Sequence, residues 1–395
     1  MTAVFPTLLS ELTLEGFLSF GPEPQTIGLS ALNILIGANG AGKSNFVEAL
    51  SVLRAVPKDL PLPIRVGGGV RDWLWRGQSP ATRASLRLKV SEGHLVRRTS
   101  LRYSLSFGAA GDAFVVLDER LENADPVPGA AKPYFYFGYE NGRPMLNVGS
   151  VHRELRREDI DTTQSILSQR RDPDSYPEIT ALAAALGNIQ IYRNWSFGPE
   201  APIRASCRAD VQTRVLSENF DNLPARLAVL RRDPWVKKQL IEQLADLSPG
   251  FDDFEVVPEG GYLQLYVTEG RHVTPARRLS DGTLRFLALL AILLDPFPPP
   301  LIVIEEPELG LHPDILPVIR DLLIDASSRT QLVVTTHSPT LVDSFTEHPE
   351  AILACDKRDG TSRIVRLDVE QIAAWRQHGS LAQLWASGHI GANRW

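Results

Sequence analysis

Eight residues, Gly37-Ala38-Asn39-Gly40-Ala41-Gly42-Lys43-Ser44, set the strongest limit on what this chain can fold into. They fit the spacing Gly, four residues, Gly-Lys-Ser. The apolar run Asn33-Ile34-Leu35-Ile36 precedes them, and Asn45-Phe46-Val47-Glu48-Ala49-Leu50 follows as a helix start. Strand, glycine loop and helix in that order is the context a phosphate-binding loop needs. The loop, with Gly37, Asn39, Gly40 and Gly42, lets backbone N–H groups turn inward around oxygens. Lys43 offers a cation to the β- and γ-phosphates, and the Ser44 hydroxyl can ligate Mg²⁺. A chance glycine-rich turn would not have both flanks right, so a nucleoside triphosphate is the expected ligand.

The 395 residues suffice for one large core or two modest domains. Lys and Arg number 41 against 47 Asp and Glu, so net charge does not announce a nucleic-acid partner, although a local basic patch can still form. Cys207 and Cys355 stand alone, without metal or disulfide spacing, which suits a reducing cytoplasm. Glu11 and Glu15 interrupt the first apolar stretch, and no secretion signal is expected. The longest apolar run, Phe286 to Leu294, is too short to span a bilayer.

Along the chain, strands are expected at 12–17, 25–29 and 33–36, then a helix to about Val56. Residues 81–149 alternate apolar and polar, as in Ala84-Ser85-Leu86-Arg87-Leu88-Lys89-Val90, and predict a β-meander. Residues 150–260 read as a mainly helical insertion, of mixed helix and loop, with helical spacing and several charges over Asn222 to Leu247. From Leu279 onward strand and helix alternate, which argues for a mostly parallel sheet. The expected division is therefore 1–149, 150–260 and 261–395, with an α/β head assembled from both chain ends.

A phosphate loop needs a carboxylate near Mg²⁺ and a group to activate water. Leu301-Ile302-Val303-Ile304 ends in Glu305-Glu306, placing two acids at the C-terminal edge of a buried strand, where ligands bind. Glu305 would face the metal, and Glu306 would orient or deprotonate the attacking water. Leu279-Ser280-Asp281-Gly282-Thr283 opens a helix, so Ser280 and Gly282 can form a phosphate site or an ordinary N-cap; the local pattern fits both. His337, after the strand Leu332-Val333-Val334-Thr335, can contact a γ-phosphate or be structural.

The series phosphate loop, long insertion, Leu-Ser-x-Gly, Glu-Glu, Gly-Leu-His-Pro and Thr-His-Ser-Pro resembles ABC-type ATPases of the RecF/SMC/OLD branch. In particular it resembles the stand-alone "predicted ATPase" group AAA_21. The likeness covers about 1–56 and 270–395, and rests on Gly42-Lys43-Ser44-Asn45 and on Glu305-Glu306-Pro307-Glu308-Leu309-Gly310-Leu311-His312-Pro313. It implies an ABC-type P-loop ATPase head with an antiparallel β subdomain. It also implies that Ser280 to Gly282 reach the nucleotide of a second subunit, that Glu308 to Leu311 form the D-loop, and that His337 is the switch histidine. Two positions depart from the pattern: Glu305 stands where Asp is common, and Asp281 where Gly is usual. No clean Q-loop is found: Gln78 lies in a plausible region after Trp73 and Trp75, and a single Gln in a loop is usually just solvated.

Arg153, Arg156 and Arg157 fall at helical spacing, with Arg170-Arg171, Arg231-Arg232 and Lys237-Lys238 as further basic pairs. They suit a DNA backbone or, interleaved with Glu154, Glu158, Asp159 and Asp172, a solvated salt-bridged face. The expected protein is a cytoplasmic Mg²⁺-ATPase without a membrane segment, forming a homodimer on ATP binding. It would act in DNA maintenance or anti-phage defence with a separate effector such as a nuclease. The alternative is a slow-turnover, nucleotide-gated scaffold that holds or releases a protein effector without touching DNA.

Overall fold

A computed structural model describes residues 7–390, apart from 78, 96–98, 127, 141, 149–150, 248–249, 369 and 371–378. Gln78 therefore lies outside the described residues. The chain forms two compact units, one from residues 1–189, 349–379 and 383–395, the other from 190–348 and 380–382.

The first unit begins with β1 (Leu9–Glu15), β2 (Gln25–Gly28), β3 (Leu32–Gly37) and α1 (Lys43–Ala55). Short helices α2 (Pro61–Val66) and α3 (Val70–Trp73) follow, then β4 (Arg83–Val90), β5 (Leu101–Ala110), β6 (Ala113–Asn123), β7 (Phe135–Glu140), β8 (Arg143–Val148) and β9 (Val151–Glu154). Next come α4 (Ile166–Gln169) and α5 (Pro177–Gly187), and from the distal chain β17 (Ile352–Arg358) and β18 (Thr361–Arg366). Eight of these strands form an antiparallel sheet in the order β2-β1-β4-β5-β6-β7-β8-β9. In β4, Ala84, Leu86, Leu88 and Val90 are buried while Arg83 and Arg87 are exposed, the alternation of a sheet with one covered face. β3 is different: all six residues are buried, and it pairs in parallel with β17, Ile34 opposite Ile352 and Gly37 opposite Cys355. A continuous apolar run is what a strand covered on both faces requires. The phosphate loop is thus rooted in a strand joined to the far end of the chain.

The second unit holds β10 (Gln190–Tyr192), β11 (Cys207–Arg208), α6 (Leu223–Leu230), α7 (Pro234–Leu247), β12 (Phe251–Glu259), β13 (Tyr262–Glu269) and β14 (His272–Pro275). It continues with α8 (Asp281–Leu293), β15 (Leu301–Glu305), α9 (Leu316–Ser327), β16 (Gln331–Thr335) and α10 (Pro339–Ser344). β15 pairs in parallel with β10 and β16. β13 is flanked by β11, β12 and β14, all antiparallel. Every residue of α8 from Leu284 to Leu293 is buried, so this helix is enclosed all round rather than amphipathic. The charges of Arg226 and Asp295 are buried as a pair at 2.5 Å, and Arg226 also donates to the Thr213 carbonyl at 2.9 Å.

Two expectations need correction, and one is refined. Residues 150–260 are mixed, not mainly helical: β9 to β12 interleave with α4 to α7, because β-rich stretches such as Phe251–Glu259 find an antiparallel partner in β13. The stretch 222–247 is two helices, since Pro234 lacks the N–H to continue α6 and instead starts α7. Arg153, Arg156 and Arg157 do not share a helical face: Arg153 pairs with Leu146 in the sheet, and the strand ends at Glu154. Cross-strand pairing overrides helical spacing there.

Candidate nucleotide site

β3 delivers the chain to Gly37 and α1 takes it up at Lys43. Glycine is required at both ends of the loop. A Cβ on Gly37 would lie 2.5 Å from the Cys355 carbonyl oxygen. Gly42 has φ 118°, and a Cβ there would lie 2.3 Å from Ser362 Oγ. With Gly42 at its N-cap, α1 has no side-chain cap and no acid in its first turn. The positive end of its dipole, without a capping side chain or an acid, suits an anion. Lys43 is 5% exposed, and its Nζ donates to the carbonyls of Gly37 (2.7 Å) and Ala38 (3.1 Å) across the loop. Beneath it, burial pushes the Cys355 thiol up to about 12, opposed by the Lys43 charge. Ser44, Asn39 and Gly40 are exposed. Asn45 turns aside, its Nδ2 donating to Ser19 Oγ at 2.7 Å.

The acidic segment lies in the second unit. Leu301 to Ile304 are buried, while Glu305 and Glu306 are half-buried at the strand end. Glu306 has φ 48°, a left-handed conformation that costs a non-glycine residue about 1–2 kcal/mol. Its N–H donates to the Thr335 carbonyl at 2.8 Å, and its carbonyl accepts from Leu309 N at 3.1 Å. That strain is fixed beside His337, whose Nε2 is 3.7 Å from Glu306 Oε1. Glu308 Oε1 accepts from Thr336 Oγ1 (2.6 Å) and from the His337 N–H (3.2 Å), so it braces the histidine's backbone. Burial raises the Glu308 carboxyl above its usual range; the Thr336 hydrogen bond opposes this, and the Glu306 charge adds to it.

Ser280 is the N-cap of α8, its Oγ accepting from Thr283 N at 3.0 Å. Gly282 lies close to the Glu308–Leu311 turn, since a Cβ there would be 3.4 Å from the Gly310 carbonyl oxygen.

The AAA_21 family, described as "AAA domain, putative AbiEii toxin, Type IV TA system", matches residues 32–343. The chain belongs to this family. Among solved structures, an SMC head bound to the C-winged helix domain of ScpA is similar at a TM-score of 0.60 and 18% identity, covering 92% of this chain and 99% of that one. An SMC head with an extended coiled coil, bound to the C-terminal domain of ScpA and derived from Pyrococcus furiosus, is similar at 0.58 and 16%, covering 94% and 99%. At such identities the likeness establishes fold: this AAA_21 chain has the fold of an SMC head. No curated protein matches the chain.

Several residues of this AAA_21 head were not legible as site residues. Arg204, 10% exposed, donates to the carbonyls of Leu279 (2.7 Å), Arg277 (3.2 Å) and Phe197 (3.0 Å), and pairs with Asp281. It fixes the turn that presents Ser280. Trp195 Nε1 donates to the Glu305 carbonyl at 2.6 Å. Its ring stacks on Phe220, and the Arg285 guanidinium lies 4.9 Å from both the Trp195 and Phe197 ring centroids. Burial lowers Arg285 to about 10, against the raising effect of Glu308, Asp281 and Glu306, so it stays cationic at neutral pH. Their hydrogen bonds to Arg277, Leu279, Asp281 and Glu305 span 73 to 110 positions, with no local motif to signal them.

The basic pairs are largely engaged within the chain. Arg170 and Arg171 donate to the carbonyls of Gln169 and Leu167, Arg231 pairs with Asp253 at 2.8 Å, and Lys238 with Glu242 at 3.6 Å. Arg231 and Lys238 thus sit in ion pairs, while Arg170 and Arg171 serve nearby carbonyls. Among the described residues no helix is long and apolar enough to cross a membrane.

Proposed function

We propose that this chain is a Mg²⁺-dependent ATPase whose ATP-bound form pairs head-to-tail with a second copy and controls a separate effector in DNA maintenance or anti-phage defence. The observation that carries the reading is the uncapped, acid-free N-terminus of α1 beneath Gly42, with the Lys43 ammonium folded across the loop. An arriving triphosphate would exchange the two carbonyls at Lys43 Nζ for its β- and γ-oxygens.

The residues present fit Mg²⁺. Ser44 offers an exposed hydroxyl, and Glu305 a carboxylate. Among the described residues no group of three or more His, Cys, Asp or Glu could hold a metal. That donor set suits an ion that keeps waters and shares a phosphate ligand. When bound, Mg²⁺ supplies charge neutralisation on the phosphates. Glu306 orients the attacking water and accepts its proton, while His337 holds Glu306 or meets the γ-phosphate. Ser280 and Gly282 of the second copy complete the site.

The slow-turnover scaffold is favoured by one observation: a similar head is seen bound to the winged-helix domain of a protein partner. The family's toxin–antitoxin description supports a defence role for either reading. DNA-stimulated turnover favours the first reading, and turnover unaffected by DNA but altered by a partner protein favours the second. Lys43→Ala tests the shared core. It should weaken MgATP binding by about 30-fold or more, the loss expected for a charge-assisted contact. Calorimetry giving wild-type affinity would remove the site.

A further inference from the structure

Ser19 stands at the shoulder of the phosphate loop, outside every motif. The residue before it, Leu18, has φ 50°, a conformation that L side chains seldom adopt. The turn is tied down on both sides. Leu18 N donates to the Trp73 carbonyl at 2.9 Å, and Phe17 and Phe20 exchange N–H···O bonds of 3.1 and 2.8 Å. Its outcome is the placement of one hydroxyl. Ser19 Oγ accepts from Asn45 Nδ2 and from Ser362 Oγ, each at 2.7 Å, and the Ser19 carbonyl accepts from Ser362 N at 2.8 Å.

A serine hydroxyl has two lone pairs and one hydrogen to give. Both lone pairs of Ser19 are used, so only its hydrogen remains, and among the described residues that hydrogen has no acceptor. The hydroxyl is beside the loop itself: a Cβ at Gly42 would lie 3.2 Å from Ser19 Oγ. A residue that is half-exposed, presented by a strained turn and oriented by the residue after Ser44 is arranged as a donor toward whatever fills the loop.

We propose that Ser19 is a binding residue of the nucleotide site, donating its hydroxyl hydrogen to a phosphate oxygen of the bound nucleoside triphosphate. Asn45 and Ser362 are its positioning residues. This gives Asn45 an indirect role, since its amide holds Ser19 instead of reaching the ligand. The inference rests on the nucleotide-binding reading above.

The test is calorimetric titration of the full chain with MgATP and, separately, with magnesium tripolyphosphate. Ser19→Ala should weaken both ligands by about 10-fold, the loss of one hydrogen bond to a charged group. Ser19→Thr, which keeps the hydroxyl, should stay within about 3-fold of wild type. Thermal melts establish that each variant is folded; if Ala is not, Ser19→Cys keeps the volume and loses the strong donor. Wild-type affinity for both ligands in the Ala or Cys variant overturns the assignment and leaves the nucleotide reading standing. Weakened ATP with unchanged tripolyphosphate also overturns it, by moving the contact off the phosphates. Wild-type protein that binds neither ligand defeats the nucleotide reading, and the role of Ser19 with it.

Discussion

Glu306 combines two properties that side chains seldom combine: a left-handed backbone and a carboxylate 3.7 Å from a histidine. The hydrogen bond from its N–H to the Thr335 carbonyl keeps the strained conformation in place. Replacing the carboxylate with an amide preserves that backbone and the side-chain volume but removes the proton acceptor. Glu306→Gln should therefore keep MgATP affinity and slow hydrolysis by about 10²–10⁴-fold, read as phosphate release in single turnover. Should Glu305→Gln slow hydrolysis far more than Glu306→Gln with metal affinity intact, the two acids have exchanged roles.

Elements place these residues, and here long-range side chains decide what the local pattern left open. The phosphate loop was legible because its residues and both flanks are contiguous. So were β15 ending in Glu305 and β16 ending at Thr335, where continuous apolar runs leave one reading. Ser280 allowed two roles, and its hydrogen bond with Thr283 makes it an N-cap within this chain. Arg204 and Trp195 were invisible, because a buried arginine serving carbonyls 73 and 75 residues away and a carboxylate 77 away has no sequence period. Arg204→Ala should leave those carbonyls short of a donor and cost about 1–3 kcal/mol of stability, measured by urea unfolding, while Lys43-dependent ATP binding persists. An unchanged midpoint would show that Arg204 does not brace the signature turn. A second element-level device is Glu119 in β6. It accepts from the Tyr103 hydroxyl at 2.6 Å and from Ile166 N at 2.9 Å, joining β5 and β6 to α4. Burial, the largest cause, raises its carboxyl above 4.5, against the hydrogen bonds from Ser165 and Tyr103. The folded chain then binds a proton more tightly than the unfolded one. The resulting stability is fully present below the unfolded value and is lost as pH rises through the folded one. Glu119→Gln removes this titration, so wild-type melting temperature minus that of the variant should fall with rising pH; a difference independent of pH would contradict it.

At the scale of the whole molecule, the proposed function makes each head's site incomplete by itself. The phosphate loop belongs to the first compact unit, and the signature turn with Ser280 to the second. In this account Ser280 and Gly282 serve a nucleotide held by another copy, so ATP acts as a ligand of the dimer and shifts association by mass action. Light scattering on Glu306→Gln tests this most directly, because slow hydrolysis preserves the ATP-bound state. With MgATP the particle mass should double, should return to the monomer value when nucleotide is removed, and should not change in the Lys43→Ala variant. A Glu306→Gln chain that binds MgATP yet stays monomeric at high concentration would contradict the shared-site account.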